Sequence, residues 1–303
     1  MNPSSFLLKL RYLLYVAFYG RFSTRPYHCQ FQITRRCNLR CQYCLVWRKE
    51  GSEELTLKDI GVLAENLRLS GLKSVVITGG EPLLRDDIVD VIELFKRYGL
   101  IVRLQTNGML LNPSLMEDIF RAGLDDIYVS LDTLRPDRFM ALTGCDNEDV
   151  HKRLIENLKR LSGIAKKHGS GRFLLSVITP QNADEVEGLV SFARRWGYLI
   201  GLYGIERAEG RLSAAEIRVS LQDFKMDDRE RAVLRDAFRE AVRLKKSPES
   251  PIFNSCRLLR DYIDLYSTSN MDMHWRCQAG RHYIVVLPDG RVSVCNATEP
   301  IKG

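Results

Sequence analysis

The sequence predicts an α/β fold: a parallel sheet with helices outside it, open or curled into a partial barrel. Three observations predict this. Strand-like and helix-like segments alternate from about residue 28 to residue 205, giving six strand–helix units. The strand segments are short apolar runs, β-branched or aromatic in part, as in parallel strands covered on both faces. The segments between them carry apolar residues at helical period, and repeated strand–helix–strand units place their helices outside a parallel sheet.

The elements follow in order. Residues 1–27 contain an apolar stretch, Phe6 to Gly20, broken by Lys9 and Arg11. It is too short to span a bilayer and lacks the cleavage site of a secretory signal. It reads as an amphipathic helix, either packed on the domain surface or in contact with a membrane surface through residues 6–20. The core, residues 28–205, has expected strands at Cys29–Thr34, Ser74–Thr78, Ile101–Thr106, Asp126–Leu131, Arg172–Ile178 and Leu199–Gly204. Ile88, Val91, Ile92, Phe95 and Tyr98 share one helical face, with Asp86 placed to cap the start and Gly99 to close the end. Val186, Leu189, Val190, Ala193 and Trp196 form a second such face. Residues 206–250 are a charged linker and helix, the helix running from Arg229 to Lys246. Residues 251–303 hold a helix around Cys256–Tyr266 and a hairpin, Tyr283–Leu287 with Arg291–Cys295, turned at Asp289-Gly290.

Composition bounds the function class. The 303 residues are 45% hydrophobic and 27% charged, the balance of a globular chain and not of a disordered one. The net charge of +7 suits an anionic substrate, a nucleic acid or a membrane surface and singles out none. Of eight cysteines, three crowd into residues 37–44 with no secretory signal before them. In a reducing cytoplasm such a cluster points to metal binding over disulfides.

The crowded cysteines read Thr34-Arg-Arg-Cys37-Asn-Leu-Arg-Cys41-Gln-Tyr-Cys44, a C-x3-C-x2-C loop at the end of the first strand. Three thiolates on an iron cubane leave one iron without a protein ligand, whereas electron-transfer ferredoxins fill all four positions. Structural zinc would want a fourth ligand, and no second C-x2-C follows. After the second strand comes Thr78-Gly79-Gly80-Glu81-Pro82, where glycines allow a close approach of backbone to a ligand or a positive φ, and Glu81 offers an acceptor. Ser130-Leu-Asp132 and Thr106-Asn107-Gly108 end two further strands, as site residues or as ordinary caps and turns. Asn182 reads most simply as the cap of the helix after it.

The cysteine loop, with an aromatic before its last cysteine, and the GGEP segment resemble the radical S-adenosylmethionine (SAM) superfamily over roughly residues 28–205. The resemblance implies a partial (β/α)6 barrel and a [4Fe–4S] cluster on Cys37, Cys41 and Cys44. It implies reductive cleavage of SAM to a 5′-deoxyadenosyl radical that abstracts hydrogen from substrate. It also implies a reductant such as flavodoxin or ferredoxin. Carried over by residue, Tyr43 lies by the adenine or packs within the loop. Gly79, Gly80 and Glu81 serve the SAM amino group. Ser130 and Asp132 serve the ribose and carboxylate, and Asn107 faces the site.

Near the end, Cys277, twelve residues, Gly290, four residues and Cys295 resemble the opening of the SPASM or Twitch extensions that hold auxiliary iron–sulfur clusters. Counting from the turn places Cys295 across from Ile284. A full extension has further cysteines, so this one is expected to be incomplete; Cys256 is a third candidate ligand that the pattern does not require. The tail lacks paired glycines, which the resemblance sets against the molybdenum-cofactor cyclase type. The expected function is therefore a radical SAM enzyme acting on an unknown peptide, protein or small molecule, in the cytoplasm or peripheral at a membrane, with no nucleic-acid partner. The alternatives are an iron–sulfur carrier without SAM cleavage and a membrane-associated, lipid-modifying enzyme.

Overall fold

The computed structural model describes residue 14 and residues 26–44, 46–48, 53–205, 226–267 and 279–295. Most of residues 1–25, including the apolar stretch 6–20, and Cys277 lie outside the described residues. Six parallel strands form where the apolar runs predict them: β1 His28–Thr34, β2 Ser74–Gly79, β3 Ile101–Thr106, β4 Asp126–Ser130, β5 Gly171–Ile178 and β6 Leu199–Gly204. The helices on their outer side are α1 Leu57–Leu69, α2 Ile88–Arg97, α3 Pro113–Arg121, α4 Pro136–Thr143, α5 Glu148–Lys167 and α6 Val186–Trp196. Then come α7 Asp228–Lys245, α8 Cys256–Leu265 and the antiparallel hairpin β7 Tyr283–Val286 and β8 Val292–Ser293. Among the described residues no helix is long and apolar enough to cross a membrane.

Local chemistry starts these helices. Thr56 with Asp59, and Asp227 with Glu230, make reciprocal capping boxes for α1 and α7. Asn112 caps α3 ahead of Pro113. The expected cap of α2 differs. Its N-cap is Asp87, not Asp86, and that carboxylate makes no cap bond. It takes both Nε and Nη2 of Arg85 instead, at 2.8 and 2.6 Å, because a charge-assisted fork outcompetes a neutral N–H. Gly99 ends α2 at φ +75°, as expected.

The strand order is β6-β5-β4-β3-β2-β1-β7-β8, so the C-terminal hairpin joins the core sheet, with β7 parallel to β1. Its register pairs Val285 with Ser293 and Val286 with Val292. Continued, that register sets Cys295 opposite Tyr283 and not Ile284. The expected count was off by one residue, which reverses the face. At the other edge Ile252 bridges to Ile200. Asn254 there accepts from the Leu202 N–H at 2.7 Å and donates to its C=O at 2.9 Å, so a side-chain amide occupies the edge in place of a strand.

The two faces of the sheet differ in chemistry. Cys29, Phe31, Ile33, Val75, Ile77, Val102, Leu104, Ile127 and Val129 point to the helices and are fully buried. Alternate positions point into the concave side: Gln30, Gln32, Gln105, Tyr128 and Tyr203 are half-buried there. Near the strand starts Arg103 pairs with Asp126 at 3.0 Å, both buried. His28 Nδ1 lies 2.8 Å from Ser74 Oγ.

Burial, with the Arg103 charge beside it, pushes the His28 pKa from 6.5 down to about 3. Above pH 6.5 the ring is neutral folded or unfolded, so it contributes no pH dependence. Below that, only the unfolded chain takes up the proton, so stability falls with acidification until about pH 3, by roughly 1.4 kcal/mol per pH unit. We expect His28→Gln to flatten this slope. Unfolding free energies of the apoprotein at pH 6.5 and 5 should diverge from wild type by about 2 kcal/mol; parallel profiles would refute the assignment.

Candidate active site

The site is assembled at the carboxyl ends of β1 to β5. β1 carries an irregularity between Gln32 and Thr34, after which Thr34 pairs with Gly79. The loop with Cys37, Cys41 and Cys44 starts three residues later. It rests on the end of α4: Arg40 N and Gln42 N donate to the carbonyls of Thr143 and Leu142 at 2.8 and 3.0 Å, and Gln42 Nε2 donates to Ala141 at 2.8 Å. A helix end leaves such carbonyls without intrahelical donors, and the loop supplies them. The sequence reading missed this seat. The signal available was Gly144, which closes α4 at φ +67°, where a Cβ would stand 3.1 Å from Arg40 Cβ.

The glycines meet the second of the two expectations at Gly79, a positive φ, and both stand against neighbouring backbone. They face backbone, not an open ligand space. Gly79 sits at φ +137°, where a Cβ would lie 2.2 Å from the Thr34 carbonyl. At Gly80 a Cβ would lie 2.1 Å from the Arg36 carbonyl. The close approach is held by two hydrogen bonds of 2.8 Å, Gly80 N to Thr34 O and Glu81 N to Arg36 O. The turn after β2 is thus stapled to the root of the cysteine loop.

Glu81 lies inward of the same turn. Its side chain does not stand open at the strand end; it is fully buried and accepts three protein donors. Leu83 N at 3.0 Å and Thr106 Oγ1 at 2.6 Å meet Oε1, and Asn107 N at 2.7 Å meets Oε2. It caps the 3-10 turn Pro82–Leu84 and ties the end of β2 to that of β3. Burial raises its pKa. Asn107 in turn donates Nδ2 to Asn38 Oδ1 at 2.7 Å, within the cysteine loop.

Tyr43 and Asp132 come together, the tyrosine hydroxyl donating to Asp132 Oδ2. Asp132 Oδ1 accepts from Val177 N at 2.8 Å. Burial pushes the Asp132 pKa up to about 6. Ser130, half-buried, pairs with Leu175 across β4 and β5. Asn182 does not cap the following turn with its side chain. Fully buried, it donates to the carbonyls of Asp132 and Val177 at 2.7 and 2.9 Å and accepts from Thr179 N at 2.7 Å, locking two strand ends together.

The three loop thiols are half-buried and unbonded to one another. Burial, then the charges of Asp132, Cys44 and Cys37, push the Cys41 pKa up to about 12. Among the described residues no three His, Cys, Asp or Glu side chains converge as ligands of a single ion. A cubane does not ask for that, since each thiolate takes a different corner. Raised pKa values at Cys37 and Cys41 suit a polycation that would reverse the effect, and Cys37, Cys41 and Cys44 would hold such a cluster. Cys256 opens α8, which packs near β6, whereas Cys295 follows β8 at the other edge of the sheet; the described residues do not bring them together.

A model of the radical SAM superfamily matches residues 31–193, more than half of the chain. The chain belongs to the radical SAM superfamily. It is therefore an enzyme, and its cofactors are a [4Fe–4S] cluster and SAM. The probable GTP 3′,8-cyclase of Thermococcus kodakarensis is 31% identical over 194 residues, 62% of this chain and 60% of that one. The chain thus spans less than two thirds of that relative's length. Among solved structures, Streptococcus suis SuiB bound to the precursor peptide SuiA superposes with a TM-score of 0.68 at 19% identity, over 95% of this chain and 63% of that one. The anSMEcpe structure with AdoMet and Cp18Cys peptide gives 0.62 at 17%, over 89% and 74%. At these identities the likeness is one of fold, and it extends from the radical SAM barrel into the C-terminal region.

The staple between Gly80 and the cysteine loop predicts a joint failure. Gly80→Val should lose SAM binding and iron together, because the added side chain strikes the Arg35 and Arg36 carbonyls. Iron assay and SAM titration on the reconstituted variant check this; a full cluster with SAM affinity alone reduced would refute the joint failure and favour a ligand-facing role.

Proposed function

We propose that this protein cleaves SAM reductively at the cluster held by Cys37, Cys41 and Cys44 and abstracts hydrogen from a polypeptide substrate lying in the concave side of the sheet. The observation that carries the substrate class is the lining of that side. Gln30, Gln32, Gln105, Tyr128 and Tyr203 line that side with uncharged amides and aromatic rings, and Tyr128 stacks on Phe173 at 4.4 Å. At the described concave strand positions the one arginine, Arg103, is met by Asp126. An uncharged lining of amides and rings suits a polypeptide, while a triphosphate asks for guanidinium or ammonium groups. The peptides named with SuiB and anSMEcpe support the same reading.

Bound in place, the cluster and SAM supply a one-electron route to hydrogen abstraction. The chain's own residues do the rest. Tyr43 and Asp132 fix the loop against β4, and Gly80 and Glu81 fix it against β2. Arg40 and Arg48 are exposed beside the cysteines, a basic surface suited to an acidic protein reductant such as flavodoxin or ferredoxin. A second reading, a nucleotide cyclase, is favoured by the relatives named GTP 3′,8-cyclase.

Anaerobically reconstituted protein with SAM and dithionite should release 5′-deoxyadenosine, and added GTP should be recovered unchanged. No 5′-deoxyadenosine would leave an electron carrier; GTP consumed in step with 5′-deoxyadenosine would establish the cyclase reading. Iron content bears on the C-terminal cysteines. We expect about four irons per chain, in wild type and in a Cys256/Cys277/Cys295 triple alanine variant alike. Roughly eight falling to four would show a second cluster.

A further inference from the structure

The cysteine loop leaves the sheet at Thr34, and the chain is back beside it at Glu54. Both limbs meet on one carboxylate. Glu54 Oε1 accepts from Thr34 Oγ1 and from Arg36 Nε at 2.9 Å, and Oε2 accepts from Arg36 Nη2 at 3.1 Å. While it donates to Glu54, Thr34 Oγ1 accepts from Arg36 N at 3.0 Å, so the carboxylate orders the backbone one residue before Cys37. Arg85, buried, stands 3.5 Å from Glu54 Oε2 and forks onto Asp87. The same arginine donates Nη1 to the Leu55 carbonyl at 3.0 Å.

The C-terminal hairpin reaches the same point. Leu55 N donates to the Pro288 carbonyl at 2.9 Å. Gly290, at φ +83°, comes close enough to Leu55 that a Cβ there would lie 3.3 Å from Cδ2. β7 meanwhile pairs with β1, the strand that feeds the cysteine loop. Residues 54 and 55 therefore join the root of the loop, the exit of the Gly80–Glu81 turn and the tip of the hairpin.

We propose that Glu54 is a positioning residue that closes the base of the cluster-binding loop, and that Leu55 and Arg85 make the C-terminal hairpin part of that support. The proposal rests on Cys37, Cys41 and Cys44 being the cluster ligands. Glu54 touches neither the thiols nor the substrate side; it acts by fixing where Cys37 leaves the strand. Groups that orient ligands in this way typically change metal affinity by about 10- to 100-fold when removed. A carboxylate holding Arg36 by two parallel bonds is not replaced by an amide, which offers one acceptor in place of two.

The test is the rate at which the anaerobically reconstituted full chain surrenders iron to a chelator. It is measured beside the electron paramagnetic resonance signal of the reduced cluster with and without SAM. Glu54→Ala should release iron about 10-fold faster than wild type, and Glu54→Gln should fall between the two. The SAM-induced change in the signal should weaken in the same order. The melting temperature of the apoprotein reads the merely structural alternative: iron release that simply follows the loss of melting temperature across the three proteins would overturn the positioning role. Gly290→Val tests the hairpin arm, since a valine is strained at φ +83° and crowds the Leu55 side chain. It should speed iron release, and less than additively with Glu54→Ala; unchanged release, or full additivity, would overturn the coupling. Wild-type protein that forms no cluster would overturn the ligand assignment and the proposal together. A wild-type cluster released at one rate from all Glu54 variants would overturn the proposal alone.

Discussion

The structure depends on one close approach, the contact of the turn after β2 with the last residues of β1. Gly79 and Gly80 bring two backbones within hydrogen-bonding distance where no side chain fits. Everything at the top of the sheet follows from it. The Arg36 carbonyl is committed to Glu81 N, so the cysteine loop starts from a fixed point. Glu81, carried inward by the same turn, gathers Thr106 and Asn107 from β3. Asn107 then reaches back to Asn38 in the loop. A circuit of hydrogen bonds thus closes over β1, β2 and β3 before any cofactor enters.

A second circuit closes on the other side. Asp132 takes the Tyr43 hydroxyl and the Val177 amide, and Asn182 bonds the carbonyls of Asp132 and Val177. The loop is thereby held against β4 and β5 as well as β2. Burial makes the ionised forms unfavourable in this region: the Cys41 thiol rises to about 12 and the Asp132 carboxyl to about 6. Such a site is electrostatically unfinished, and a cationic cluster is what would complete it.

The rest of the sheet is divided by the two-residue period of its strands. One face is apolar and fully covered, which holds the fold together. The other is half-buried and mixed, its amides and aromatics standing beside Val76, Leu175 and Val177. Its charged pair, Arg103 and Asp126, lies near the strand starts, away from the cysteines. Conserving stability at one end of the strands and chemistry at the other is the common division in parallel barrels.

Much of this was legible in the sequence, because it is set by contiguous residues. Period and turn chemistry alone determined the six parallel strands, the faces of α2 and α6, and the hairpin. The spacing of Cys37, Cys41 and Cys44, followed by Gly79-Gly80-Glu81, determined the family. What the sequence left open concerns partners far apart in the chain. Only the tertiary structure decided that Glu81 turns inward to β3, that Asn182 braces Asp132 and that β7 lies against β1. For Glu81 and Asn182 the physical reason is the same. A polar side chain takes the strongest donor or acceptor within reach, and reach across 26 to 50 residues is set by how the sheet folds the strand ends together, which no local pattern encodes.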